Sequence, residues 1–214
     1  MPTVIETTVY QFNELNDTAK ERARTWYRRA SEGDNWFSES VIEDASTIAA
    51  IIGIDVRQSP VKLMGGGTRL EPTIYWSGFA SQGDGACFEG FYSYKPGSVA
   101  AVKAYAPQDT ELHRIAEELQ GIQAPFFYRL SATIKHRGHY YHEHSMEVSA
   151  DYSGDDSRDI IEAESALSEA FSDFAHWIYR HLESEYEWIN SDEVVNETIV
   201  ANEYTFDEEG NRDG

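Results

Sequence analysis

Residues 74–94 read IYWSGFASQGDGACFEGFYSY, and we expect the fold to be organised around them. Two aromatic-rich runs flank the polar segment Ser81–Ala86. Aromatic residues suit a half-buried pleated surface, whereas Gly, Asp and Ser favour turns. Three glycines, Gly78, Gly83 and Gly85, indicate a sharp bend or a close approach of another backbone segment. The stretch therefore predicts two strands joined by a tight loop.

The same loop carries side chains that can bind a ligand or take part in a reaction. They are Ser77, Ser81, Gln82, Asp84 and Cys87. Their spacing matches no motif of known chemistry. The loop is the best candidate site in the sequence, but its residues do not define a reaction.

The charge of the chain is strongly and unevenly acidic. It has 214 residues with 38 acidic and 17 basic side chains, a net charge of −21, and residues 151–214 hold 19 of the acidic but 3 of the basic ones. This charge opposes direct binding to DNA, RNA or an anionic membrane, and it favours a partner protein with a basic surface. One cysteine excludes an internal disulfide. Without a signal-peptide pattern or an apolar run of about 18 residues, we expect a cytoplasmic protein.

Periodicity and turn residues predict the elements before and after the central stretch. Before it, we expect a strand over 3–12, a helix capped by Asn16, a helix over 36–52 ended by Gly53, a strand over 54–57 and a loop over 58–72. After it, we expect a helix over 99–105, a helix from Asp109 to about Gln120, a hairpin over 126–150, a helix over 158–190 and a strand from Val195 to Phe206. The prediction is one α+β domain over 1–206, an antiparallel or mixed sheet with helices packed against it, followed by a frayed acidic tail over 207–214.

The hairpin over 126–150 has a predicted register. A three-residue loop, His136-Arg137-Gly138, keeps the apolar faces of both strands in phase and pairs Ile134 with Tyr140. This register places His142 and His144 on the same face as Leu130 and Ala132.

Two hypotheses give these histidines a chemical role. His142 and His144 could chelate a metal with Asp84 as a third ligand, although no established metal motif is present. Alternatively, Cys87 could form a nucleophile–base pair with one of the histidines, such as His142. Ser77 or Ser81 could do so with a histidine and Asp84, as in a catalytic triad. The simpler interpretations are hydrogen-bonded histidines in a sheet and a small buried cysteine.

The acidic last third predicts a binding surface. Its candidate residues are Glu183, Glu185, Glu187, Trp188, Asp192 and Glu193. Carboxylates spread over a helix can imitate the phosphates of a nucleic acid, and aromatic residues among charges are typical of interfaces. Ordinary solubility would explain the carboxylates alone. A structural or assembly role would instead require a self-complementary apolar patch.

The run Ser-Gly-Phe-Ala-Ser-Gln-Gly-Asp-Gly-Ala at 77–86 resembles a family of uncharacterised proteins from bacteriophages and prophages. The resemblance extends over most of the chain, through Leu15–Tyr27, Glu43–Ile54, Tyr75–Gly90, Tyr140–Glu143 and Tyr186–Glu187. It carries over no catalytic residue. It implies a phage context, in which small acidic proteins inhibit host defence systems such as the CRISPR machinery or act as antitoxins.

The sequence therefore predicts an acidic, cofactor-free protein that inhibits a host protein or ribonucleoprotein complex with a basic surface. The alternative is a small hydrolase or metal-dependent enzyme with its site between the Ser81–Ala86 loop and His142 and His144.

Overall fold

A computed structural model describes residues 8–154 and 159–212. Within them the strands are β1 (Tyr10–Gln11), β2 (Ile54–Val56), β3 (Gln58–Lys62), β4 (Thr68–Pro72), β5 (Ile74–Trp76), β6 (Ala86–Phe88), β7 (Gly90–Ser93), β8 (Leu130–His136), β9 (Met146–Tyr152) and β10 (Thr205–Phe206). The helices are α1 (Asp17–Ala30), α2 (Phe37–Ile52), α3 (Ser98–Tyr105), α4 (Thr110–Gln123), α5 (Ile161–Ile189) and α6 (Asp192–Ala201). The predicted α+β class is confirmed, including the long helix near the C-terminus and a strand after it.

The chain divides into two compact units. A terminal unit comprises residues 1–38 and 184–214, and a central unit comprises residues 39–183. The boundaries fall within α2 and α5. The single domain expected over 1–206 stays a prediction.

The central unit is built on an antiparallel sheet with the strand order β2-β7-β8-β9. Tyr92 of β7 lies opposite Ile54 on one side and Ala132 on the other. Helix α5 covers the sheet, because the ring of Phe171 meets that of Tyr92 edge to face at 5.3 Å between centroids. Phe88 of β6 packs on Phe174 of α5 in the same way, at 5.7 Å. These aromatic pairs form part of the core between β6, β7 and α5.

The predicted hairpin around residues 81–86 is confirmed. β5 and β6 pair antiparallel, with Ile74 opposite Phe88 and Trp76 opposite Ala86. The chain then leaves this ribbon, and β7 joins the main sheet instead. Gly90, the first residue of β7, allows the close approach of β2, since a Cβ there would lie 2.5 Å from the carbonyl oxygen of Asp55.

The prediction of a loop over residues 58–72 is wrong, because β3 and β4 form a hairpin there with Lys62 opposite Thr68. Most side chains of both strands are exposed, so the segment lacks the apolar alternation that marks a half-buried strand. Gly66 and Gly67 adopt φ of +82° and +104° in its turn, which is the conformation that glycine tolerates best.

The register predicted for the next hairpin is also wrong. Ile134 lies opposite Val148, not Tyr140, and residues 137–145 form the connection. His142 and His144 therefore lie in this connection and not on the face of Leu130 and Ala132. The rings of Tyr141 and Tyr75 stack at 5.0 Å, so Tyr141 is held away from the β8–β9 ladder.

The strand predicted from Val195 to Phe206 is mostly helix α6, and only Thr205–Phe206 is a strand. Ser191 caps α6 by accepting a hydrogen bond from the backbone N–H of Val194 at 3.4 Å. Asp192 and Glu193 occupy its first turn, where carboxylates interact favourably with the helix dipole. Capping and dipole compensation therefore outweigh the β-branched composition that suggested a strand.

Two smaller boundaries also differ from the predictions. α4 continues past Gly121 to Gln123. Of the strand expected over 3–12, residues 3–7 lie outside the described residues, and Tyr10–Gln11 form β1.

The terminal unit has its own core between α1, α6 and the β1–β10 pair. Its buried residues are Phe12, Leu15, Ala19, Ala23, Val195, Ile199 and Phe206, with Trp26 and Tyr204 packed against them. The predicted cap of α1 is confirmed, because the Asn16 side chain accepts from the backbone N–H of Ala19 at 3.0 Å. After β10 the chain turns at Asp207, and Arg212 forms a bridge with Phe206. In the part of the chain that the structure describes, no helix has the length and apolar character needed to cross a membrane.

Candidate functional site

The loop between β5 and β6 is folded around the carboxylate of Asp84. Its Oδ2 atom accepts hydrogen bonds from the backbone N–H of Ser81 at 2.6 Å and of Ala80 at 3.0 Å. These bonds lower the pKa of Asp84, the Ser81 bond being the largest cause. The carboxylate is therefore ionised at neutral pH and holds the loop in one shape.

The loop lies directly against the connection between β8 and β9. A Cβ on Gly85 would lie 2.7 Å from Cα and Cβ of His142, so glycine is required for this approach. The ring of Tyr140 would meet a Cβ on Gly83 at 3.5 Å. The Ser77 hydroxyl donates to the carbonyl oxygen of Tyr141 at 3.5 Å. The structure thus brings together the predicted loop and His142, two segments that are about 60 residues apart in the chain.

The histidine pair is organised by the backbone. Nδ1 of His142 accepts the backbone N–H of His144 at 3.1 Å, and their ring centroids are 5.9 Å apart. An imidazole that accepts at Nδ1 carries its proton on Nε2 when neutral. Within residues 8–154 and 159–212, no three His, Cys, Asp or Glu side chains are grouped to hold a metal ion. The chelate predicted from His142, His144 and Asp84 therefore has no support from the geometry.

Cys87 is poorly suited to act as a nucleophile. It is completely buried in β6, opposite Tyr75, and burial raises the pKa of its thiol to about 11. The reactive thiolate is consequently scarce at neutral pH. The simpler interpretation of Cys87 as a small buried residue fits the structure.

Three tyrosines that the sequence reasoning did not select complete the site. They are Tyr140 and Tyr141, already described, and Tyr179 of α5. The Tyr179 hydroxyl donates to the carbonyl oxygen of Gly78 at 2.9 Å, and its ring lies 5.5 Å from that of Phe79. Burial raises the pKa of Tyr179, with a further increase from the carboxylates of Glu183 and Asp84. The Tyr-Tyr-His run at 140–142 was the available sequence signal, whereas nothing in the sequence links Tyr179 to the loop.

The predicted acidic residues differ in their surroundings. Asp192 is bound by two arginines of α1, Arg28 at 2.5 Å and Arg24 at 3.5 Å. These arginines lower the pKa of Asp192, the hydrogen bond from Arg28 being the largest cause. Asp192 therefore links α1 to the start of α6.

Other carboxylates of the terminal unit are exposed. Glu187 and Glu193 are exposed, and among the described residues no lysine or arginine forms an ion pair with either. Trp188 is 58% exposed beside Glu187. Glu185 is half-buried, and Glu183 belongs to the central unit.

The structure adds Glu197 to this set. It is exposed and lies one helical turn after Glu193 on α6. Glu197 was not among the predicted residues, because a strand was expected over this segment. We call Glu187, Trp188, Glu193 and Glu197 the acidic surface.

Fold and sites together define an α+β protein with two distinct features, a loop fixed around Asp84 in the central unit and an acidic surface in the terminal unit. The chain belongs to the family described as Domain of unknown function (DUF8835), whose model matches residues 36–192. No curated protein and no solved structure matches the chain. The matched segment contains the whole Asp84 loop and its partners, and it ends one residue before Glu193.

Proposed function

We propose that this chain is a phage-encoded inhibitor that binds the basic surface of a host nucleic-acid-binding complex, such as a CRISPR-like defence ribonucleoprotein. The contact is made by the acidic surface, which takes the place of nucleic acid. Opposite charges steer such a partner into contact and fix its orientation. The proposed partner is the host complex. We do not propose direct binding to nucleic acid or to a membrane.

The observation that carries this proposal is the contrast between two kinds of carboxylate in one unit. Asp192 is neutralised by Arg24 and Arg28, as expected of a carboxylate that stabilises the fold. Glu187, Glu193 and Glu197 have no such ion pair within the described part of the chain. Exposed Trp188 adds an aromatic group of the kind enriched at interfaces.

The charge balance of the terminal unit supports the same conclusion. Its 69 residues carry 16 acidic and 6 basic side chains. Three of the basic ones, Arg22, Arg24 and Arg29, lie on α1 within two helical turns of Arg28, which binds Asp192. Like charges that remain unpaired destabilise a folded unit, so they are expected where a partner supplies the opposite charge.

The test is affinity capture from bacterial lysate at low salt with three proteins. The wild type is compared with the variant E187Q/E193Q/E197Q and with the control E43Q/E162Q/E169Q, whose exposed carboxylates lie in the central unit. We expect the wild type and the control to retain one nucleic-acid-binding complex and the first variant to lose it. Equal retention by all three proteins would refute the role of the acidic surface.

A second candidate function is supported by the contact between Gly85 and His142. An enzyme whose site lies between the Ser81–Ala86 loop and the histidines requires such a contact. The proposed chemistry is hydrolysis, with Ser81 or Ser77 as nucleophile and His142 as base, which requires Nδ1 of His142 to release the backbone N–H of His144 and accept the serine proton instead. A panel of chromogenic esters and phosphoesters tests it, because H142Q should abolish any turnover that the wild type shows, whereas H113Q should not.

A further inference from the structure

A groove of about 880 Å³ lies within the terminal unit, between α1 and the turn that follows β10. Its α1 side carries Thr18, Arg22, Thr25 and Arg29 at intervals of four, three and four residues. These intervals place the four side chains on one stripe of the helix. Hydroxyl and guanidinium donors therefore alternate along one wall of the groove.

The opposite wall is held firmly against α1. A Cβ on Gly210 would lie 2.1 Å from the carbonyl oxygen of Ala19, so only glycine fits at this contact. The Asp207 carboxylate accepts hydrogen bonds from the backbone and side-chain nitrogens of Asn211, at 2.8 and 2.9 Å. Arg212 donates to the carbonyl oxygen of Thr205 at 2.9 Å, and its Cζ lies 5.7 Å from the Trp26 ring centroid. The third guanidinium of the groove is thus positioned before any ligand binds.

The charges of the groove are opposite to those of the chain as a whole. Arg22 and Arg29 are exposed, and no described carboxylate forms an ion pair with either of them. Arg24, on the same helix, is paired with Glu21 at 2.6 Å, which also neutralises the acidic side chain of the groove. Arg22 donates to the backbone carbonyl oxygen of Glu209 at 3.4 Å, a contact that positions its guanidinium and leaves its charge uncompensated by a carboxylate. These two arginines are therefore positive charges in a chain with more than twice as many acidic as basic side chains.

We propose that this groove binds a small phosphate-bearing organic ligand of nucleotide size. Guanidinium groups match the geometry of phosphate oxygens and bind them through paired hydrogen bonds, to which threonine hydroxyls can add. Trp26 and Ala30 supply an apolar wall for the organic part of the ligand. The volume lies within the range of small-molecule sites. A long polyanion is disfavoured because the net charge of −21 repels it.

Calorimetric titration with ADP, UDP, adenosine and inorganic pyrophosphate tests this proposal. We expect the wild type to bind ADP or UDP more tightly than adenosine and more tightly than pyrophosphate. The variant R22Q/R29Q should bind the nucleotide at least about tenfold more weakly, since it loses two charge-assisted contacts. The control K62Q/K135Q removes the same charge from exposed positions of the central unit and should leave the affinity unchanged.

Three results would overturn the proposal. They are no binding of either nucleotide at millimolar concentration, equal affinity for adenosine and ADP, and equal weakening by both double variants. Equal affinity for pyrophosphate and ADP would show that the organic part of the ligand does not contribute to binding. Circular dichroism establishes that R22Q/R29Q is folded. The proposal does not depend on the acidic surface, because E187Q/E193Q/E197Q leaves the lining of the groove intact.

Discussion

Asp84 shows how a single half-buried carboxylate can fix the shape of a loop. It accepts two backbone N–H groups of the turn that precedes it, in the manner of a helix-capping side chain. The loop shape in turn determines where Gly85 meets His142. Asp84 thus acts on the candidate site through the backbone.

Replacing Asp84 with Ala should lower the free energy of unfolding by about 1 kcal/mol at pH 7, because two backbone donors lose their acceptor. D84N should lose less, since its amide oxygen can still accept a hydrogen bond. The folded state lowers the pKa of Asp84, so this stabilisation is present above the ordinary Asp pKa and is lost as the pH falls through the lower, folded value. Urea denaturation of the three proteins between pH 7 and pH 2 measures both effects. A difference between wild type and D84A that grows on acidification would contradict the assignment.

Cys87 should be inert in the native protein. Its burial and its pKa of about 11 leave little accessible thiolate, so a disulfide reagent at pH 8 should react with the unfolded chain but not with the folded one. Ellman's reagent with and without urea measures this. Fast reaction of the native protein would restore the hypothesis of a nucleophilic cysteine.

At the scale of elements, the loop around Asp84 can approach the β8–β9 connection because residue 85 is a glycine, which has no side chain. G85A places a methyl group against the His142 backbone and should lower the free energy of unfolding by about 1–3 kcal/mol. G121A is the matched control, because nothing lies within 4 Å of a Cβ at that helical position, and it should stabilise the protein by about 0.5–1 kcal/mol. Equal effects of the two substitutions in urea denaturation would contradict the close contact at Gly85.

Elements with strong local signals could be predicted from the sequence, and elements set by distant contacts could not. α1 was predictable because Asn16 caps it, and the β5–β6 hairpin because aromatic runs flank a glycine-rich turn. The β8–β9 register was not predictable, since Tyr141 is drawn out of the ladder by Tyr75, a residue far away in the sequence. α6 was not predicted for a different reason. Its β-branched residues suggested a strand, although Ser191 is a favourable helix cap.

The candidate site was predictable only in part for the same physical reason. The sequence selected the Asp84 loop and His142 separately, and the contact between them exists only in the folded sheet. Tyr179 reaches the loop from α5, and no local pattern marks that contact.

At the scale of the whole molecule, the unpaired carboxylates should have a cost in stability. Glu193 and Glu197 are like charges one helical turn apart, whereas Glu193 alone interacts favourably with the dipole at the start of α6. E197Q removes the repulsion and keeps the Glu193 charge, so it should be more stable than the wild type by about 0.2–0.5 kcal/mol at low salt. Raising the salt from about 10 mM to about 100 mM shortens the screening length from about 30 Å to about 10 Å and should reduce this difference. Thermal denaturation at the two salt concentrations measures it. An E197Q variant that is less stable than the wild type at low salt would mean that Glu197 stabilises the fold.

The most direct test of the proposed function is competition between this chain and nucleic acid for the captured host complex. The complex is immobilised on the wild-type chain, and increasing amounts of duplex DNA or of RNA are added at constant salt. If the acidic surface replaces nucleic acid, one of the two must release the complex, and the chain must reciprocally block nucleic-acid binding by the complex. Simultaneous binding of the chain and of both nucleic acids would contradict the account.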